Sequence, residues 1–277
     1  MADADTVMRA TDPLDLTFSE AELEAHREHI TAFIEAQLDA AGVDRAVMGL
    51  SGGIDSTLVS HLAVEALGRD AVHGLVMPSE VNDPDNMSDA ERVANDLLGI
   101  DYDVVEINPL VDAFLDAYPA AEGDQLAVGN LRVRCRAVLN YLVGNHEDAI
   151  VLGTGNRSEA LVGYYTKYGD GAVDCHPIAT LYKQQVRQLA KHVGVPDDLA
   201  DKTASAEMWT GQTDAAELGM DYDTLDSILA LHIDGGMPED ATADHVGVPP
   251  STVDHVRDLY RASAHKRAMP PGPEPLY

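Results

Sequence analysis

AVMGLSGGIDST (46–57) decides the fold. The apolar run AVMGL (46–50) reads as a short buried strand. Gly52 and Gly53 then let the backbone turn tightly and approach a ligand closely, and a helix is expected over about 56–67. Ser51, Ser56 and Thr57 add hydroxyl groups, and the helix N-terminus adds N–H groups and the positive end of a dipole. Ser51 to Thr57 therefore form an anion cradle, which lacks the GxxxxGK[ST] pattern of a Walker loop. Asp55 inside such a cradle calls for a cation beside it. Mg²⁺ shared between a carboxylate and substrate phosphates meets that need.

Outward from this loop, short apolar runs alternate with helical patterns. VHGLVM (72–77), DVVEI (103–107) and AIVLG (149–153) read as further strands. Helices are expected at 19–40, from Ser88 to Leu98 behind the capping-box pattern SDAE, at 109–118, 130–143 and 180–193. This order implies an α/β fold, a Rossmann-like parallel sheet flanked by helices on both faces, in a single domain. Residues 1–18 read as a flexible acidic arm and 19–277 as the folded domain. Ligands of such sheets bind beyond the carboxyl ends of the strands, so the chemistry should gather after Leu50, Met77 and Gly153.

Charge bounds the partners. Asp and Glu total 48 against 18 Lys and Arg, a net −30 that speaks against nucleic acid, whose binding draws on basic residues. A surface this acidic suits a salt-rich cytoplasm, where ions screen self-repulsion. A helix–turn–helix pattern over 243–263 carries mixed charge and reads as a plain helical hairpin. No apolar run reaches the length of a membrane span, and the N-terminus has no signal-peptide core, so a cytoplasmic location is expected. Cys135 and Cys175 fall in no CxxC spacing, so neither zinc nor redox work is expected of them. Lysine is scarce, with Lys167, Lys183, Lys191, Lys202 and Lys266 the full set.

SGGIDST resembles the pyrophosphate loop of the ATP pyrophosphatases, also called adenine nucleotide alpha-hydrolase-like proteins, which cleave ATP between its α- and β-phosphates. GMP, argininosuccinate and asparagine synthetases and tRNA-modifying enzymes share that loop. The rest of the chain chooses among them. GNLRVRCR (129–136), VLGTGNRSE (151–159), GYYTKYGDGAVD (163–174), PIATLYKQQV (177–186), SAEMWTGQTDAAELG (205–219) and AHKRAMPPGP (264–273) follow the order and spacing of ammonia-dependent NAD synthetases.

That resemblance implies an ATP-dependent amidation of deamido-NAD by ammonia, through an NAD-adenylate, with release of AMP and pyrophosphate. It implies ATP contacts at Gly49, Leu50, Ser51, Gly52, Gly53, Ile54, Asp55, Ser56, Thr154, Lys183 and Ser205. It also implies Mg²⁺ on Asp55 and Glu159, and deamido-NAD contacts at Arg134, Lys167, Asp174, His265 and Lys266. No covalent protein nucleophile is implied. Three of the five lysines fall on these positions, where polyphosphate would collect. Departures from the family pattern are small: Ile54 for a frequent Gln, Thr180 for Asp, Ala215 and Ala264 for Glu.

Glutamine-dependent relatives carry an additional amidase domain for which this chain has no room, so free ammonia is the expected nitrogen donor. The resemblance further implies a homodimer built on the helices around 109–144, where Leu110, Phe114, Leu115, Val138, Leu139 and Leu142 offer apolar surface or a core face. A tRNA-thiolating enzyme would need a basic RNA-binding surface. A non-catalytic nucleotide sensor would tolerate loss of Asp55, Glu159 or Lys183, all of which are present.

Overall fold

The computed structural model describes residues 15–276 apart from 83, 207 and 210. Helix α1 (Glu20–Ala41) opens with a capping box at Ser19 and Glu22, which satisfies first-turn amides the helix itself cannot. Strand β1 (Arg45–Leu50) and helix α2 (Ile54–Leu67) follow, then β2 (Val72–Val76) and α3 (Pro84–Arg92). β3 (Asp101–Val104), α4 (Asn108–Ala117), α5 (Gln125–Glu147) and β4 (Ala149–Val151) complete the sheet and its cover. The remainder is helical: α6 (Arg157–Val162), α7 (Lys183–His192), α8 (Asp197–Ala200), α9 (Asp214–Leu218), α10 (Tyr222–Ile228), α11 (Glu239–Val246) and α12 (Pro250–Ala262).

The four strands are all parallel, in the order β3-β2-β1-β4, with Ala46 paired to Val72 on one side and to Ile150 on the other. The chain thus winds outward from β1 through β2 to β3, then returns to β4 on the opposite flank. Where the winding direction reverses, the loops after β1 and β4 diverge and leave a crevice at the carboxyl edge of the sheet. One core packs α1, α2 and α7 on one sheet face through Ile34, Leu58, Leu62 and Leu189. A second packs α4 and α5 on the other face through Val47, Leu75, Ile107 and Cys135. A third joins α10 to α12 through Leu225, Ile228, Val253 and Val256. Both cysteines are buried thiols. Among the described residues no helix is long and apolar enough to cross a membrane.

Several boundaries move. The helix expected from Ser88 starts at Pro84, where proline's fixed φ suits a first turn, and it runs on as a π-helix over Val93–Leu98. Ser88 therefore lies within a helix rather than capping one. β3 begins two residues earlier than expected, although Val105 and Ile107 still donate to the carbonyls of Val76 and Pro78. α5 starts at Gln125, because Asp124 caps it by accepting from the Ala127 amide. Residues 1–14 of the expected arm lie outside the described residues. Leu16 and Phe18 are held by hydrogen bonds with the Gln188 side chain on α7.

Candidate active site

β1 ends at the centre of the sheet, so the glycine loop opens into the crevice. Its geometry is set locally. Ser56 Oγ donates to the Gly53 carbonyl at 3.0 Å and accepts from the Ser51 amide at 3.3 Å, and Thr57 Oγ1 donates to the same carbonyl at 2.9 Å. No side chain caps α2 at Gly53, which leaves the helix end to be met by a ligand. Gly52 adopts φ +72°, and a Cβ there would lie 2.2 Å from the Asn86 carbonyl oxygen. The first turns of α3 thus sit on the loop at a residue with no side chain.

Gly52→Ala is expected to be costly for that reason. The left-handed backbone alone costs about 1–2 kcal/mol, and α3 must also move. Since about 1 kcal/mol shifts the melting point of a domain this size by roughly 2–4 °C, a thermal melt should fall by at least that much. An unchanged melt would refute the close seating of α3 on the loop.

Beside the loop lies a cavity of about 280 Å³. Gly49, Leu50, Ser51, Gly53, Ile54, Asp55 and Ser56 line it, together with Thr154, Glu159, Lys183 and Ser205. Segments more than a hundred residues apart in sequence meet here. Lys183, only 3% exposed at its side chain, lies between two carboxylates. Its ammonium donates to Asp55 Oδ2 and, at 3.1 Å, to Glu159 Oε1. Asn156 ties the pair together, donating to Asp55 Oδ1 at 2.9 Å and capping α6 by accepting from the Glu159 amide. The ring of Tyr222 lies 5.1 Å from the same ammonium. Burial raises the Glu159 carboxyl above the ordinary carboxylate range. Burial alone would lower the Lys183 pKa, yet Asp55 and then Glu159 outweigh it and raise it. The outcome is a fixed cation flanked by hard oxygen donors at the mouth of an anion loop.

Asp55 and Glu159 suit Mg²⁺ by chemistry: two carboxylates, both partly exposed on the cavity wall. Among the described residues no group of three or more His, Cys, Asp and Glu could by itself hold a metal. A Mg²⁺ ion on these two carboxylates would need phosphates and water as its further ligands.

The other expected contacts gather elsewhere. Arg134 donates to the Lys167 carbonyl at 3.1 Å, and Lys167 donates to the His265 carbonyl at 2.8 Å. Lys266 donates to the carbonyls of Gly163 and Tyr165, each at 2.6 Å. These four form a second, basic cluster on an otherwise acidic protein. Asp174 instead accepts from the Val151 amide at 2.7 Å and from the Tyr141 hydroxyl at 3.1 Å, which pins its loop to β4. None of the five lines the cavity.

The structure adds lining residues that sequence reasoning missed, among them Arg136, Asn140, Lys202 and Asp214. Arg136 donates to the Met77 carbonyl at 3.0 Å and to Asn82 Oδ1 at 2.9 Å, so it fixes the chain leaving β2. A signal existed: Arg132 and Arg136 are four residues apart and share a helix face. Lys202, paired with Asp89 on α3, was visible in the shortage of lysine.

Comparison with known proteins shows the family. The family model described as NAD synthase matches residues 26–270. An NH(3)-dependent NAD(+) synthetase from Halobacterium salinarum is 63% identical over 261 residues, covering 94% of this chain and 97% of that one. The NMN synthetase from Francisella tularensis superposes with a TM-score of 0.80 at 31% identity, over 93% of this chain and 99% of that one. The NH3-dependent NAD synthetase from Campylobacter jejuni, solved with a nitrate ion, gives 0.77 at 28%, over 93% and 100%. With a glycine loop at the central strand, a buried lysine between two carboxylates, and this likeness along nearly its whole length, the chain belongs to the NAD synthase family.

Proposed function

We propose that this chain is an ammonia-dependent NAD synthetase, which converts deamido-NAD to NAD with ATP and ammonia. One observation carries the reading: Asp55, Glu159 and Lys183 converge at the end of the glycine loop. The nicotinate carboxylate attacks the α-phosphorus of ATP and expels pyrophosphate. Ammonia then adds to the carbonyl carbon of the acyl-adenylate, AMP leaves with the bonding electrons, and the nitrogen sheds a proton. The loop amides and Lys183 hold the phosphates and meet charge as it grows on the leaving pyrophosphate. Asp55 and Glu159 would hold Mg²⁺, which adds further neutralisation of that charge. The basic cluster of Arg134, Lys167, His265 and Lys266 is assigned to deamido-NAD, together with Asp174.

A reaction with ATP, Mg²⁺, ammonium and deamido-NAD should yield NAD and AMP in equal amounts. With nicotinic acid mononucleotide offered as the competing carboxylate, deamido-NAD should be preferred. A preference for the mononucleotide would assign the chain to NMN synthesis instead.

We further propose a homodimer over α4 and α5. Phe114, Val138 and Leu142 are 57%, 66% and 62% exposed, and Leu110 and Leu126 extend the same apolar surface. Leu115 and Leu139, in contrast, pack inward against the core and contribute little to it. Light scattering in molar salt should give twice the mass of the 29.7 kDa chain. A fully active monomer would exclude the dimer.

A further inference from the structure

We propose that Asp226, which no part of the reaction touches, is a positioning residue that sets Lys183 and Glu159 in register. This rests on the reading of Lys183 as an ATP contact. Asp226 is fully buried on α10, and its carboxylate closes a network between the starts of two other helices. Oδ1 accepts from the Ser158 hydroxyl at 2.5 Å, and Oδ2 accepts from the Gln184 amide at 2.9 Å. Ser158 Oγ, itself fully buried, accepts from the Lys183 amide at 2.9 Å.

Lys183 and Gln184 are the first two residues of α7, and their amides have no partner within the helix. Ser158 precedes Glu159 in the first turn of α6. One carboxylate and one hydroxyl therefore satisfy the N-terminal amides of α7 and bolt them to the N-terminus of α6. The two side chains that meet in the cavity, Glu159 and Lys183, are each attached to a bolted residue. The negative charge also faces the positive end of the α7 dipole. Tyr222 lies one helical turn before Asp226, on the same face of α10, and its ring underlies the Lys183 ammonium. α10 thus bears on the start of α7 in two ways: Asp226 holds the Gln184 amide and the Ser158 hydroxyl that receives the Lys183 amide, and Tyr222 lies under the Lys183 ammonium. A glycine loop and a lysine alone would leave the reach of that ammonium unspecified. Locking both helix starts fixes the backbone from which it reaches Asp55 and Glu159.

The test is a double-mutant cycle on ATP affinity, measured by calorimetry with Mg²⁺ on the full chain. Asp226→Ala should weaken ATP binding by at least about tenfold, with deamido-NAD affinity unchanged. In a Lys183→Met background the same change should cost clearly less than it does in the wild type, because one of the two residues through which it acts is gone. Asp226→Asn should recover most of the affinity, since its amide oxygen can accept from Gln184 while its NH₂ donates to Ser158. If Asp226→Ala fails to fold, Ser158→Ala removes one link of the network and should show the same non-additivity. Additive losses, or a lower melting point with normal ATP affinity, would overturn the proposal. A Lys183→Met variant that binds ATP normally would instead overturn the site assignment on which it rests.

Discussion

Lys183→Met is expected to lower kcat for NAD formation by at least about a hundredfold, as removal of a fixed charge from a charge-developing site does. Methionine keeps an unbranched apolar stem close to that of lysine and removes the ammonium. Two consequences then act together. The leaving pyrophosphate loses a preorganised positive charge. Asp55 and Glu159, bridged by that ammonium, are left facing each other. Breaking a buried pair by removing one partner typically costs about 3–5 kcal/mol, so melting should drop as well. Asp55→Asn and Glu159→Gln should each lower kcat by at least about tenfold, because each deletes one carboxylate while Lys183 stays paired to the other. Steady-state kinetics with deamido-NAD saturating would measure this. Turnover of the three variants at the wild-type rate would remove the cluster from the mechanism.

Removal of salt should destabilise the protein strongly. A net −30 spread over 277 residues is self-repelling. Much of the positive charge is already committed to nearby carboxylates, as in Arg92 with Asp198, Lys191 with Asp201 and Arg257 with Glu239. Acidic residues outnumber Lys and Arg by 30, so counterions must neutralise the excess. At about 1 M salt the Debye length falls to roughly 3 Å, which screens neighbouring surface carboxylates from one another. A thermal melt in a potassium chloride series should therefore rise by at least about 5 °C between 0.1 M and 2 M, using roughly 2–4 °C per kcal/mol. Both substrates are polyanions, so their affinity should rise over the same range until ions compete for the site. A flat or falling melt would mean the acidity has another cause.

The anion loop was legible because its parts are adjacent in sequence. Strand, glycines, hydroxyls and helix start fall within 46–57, and local conformation suffices to shape them. The parallel sheet was legible from alternation, and its four strands stand within three residues of where apolar runs predicted them, the largest shift being the end of β3 at Val104 rather than Ile107. SDAE misled because a capping box is a local preference. The contacts of α3 with Gly52 and of Asp89 with Lys202 draw that helix over the loop and start it earlier.

Sequence alone, through the loop and six linked motifs, was enough to establish the fold class and the family, and it named Asp55, Glu159 and Lys183, which the structure brings together. It carried no sign that Lys183 stands between Asp55 and Glu159, that Arg136 reaches Met77 and Asn82, or that Asp226 holds two helix starts together. Those pairings span from 24 to 128 residues of chain. A residue's own type and its near neighbours govern local backbone shape, whereas contacts at such separations exist only once the sheet has brought β1 and β4 side by side and the helices after them have packed.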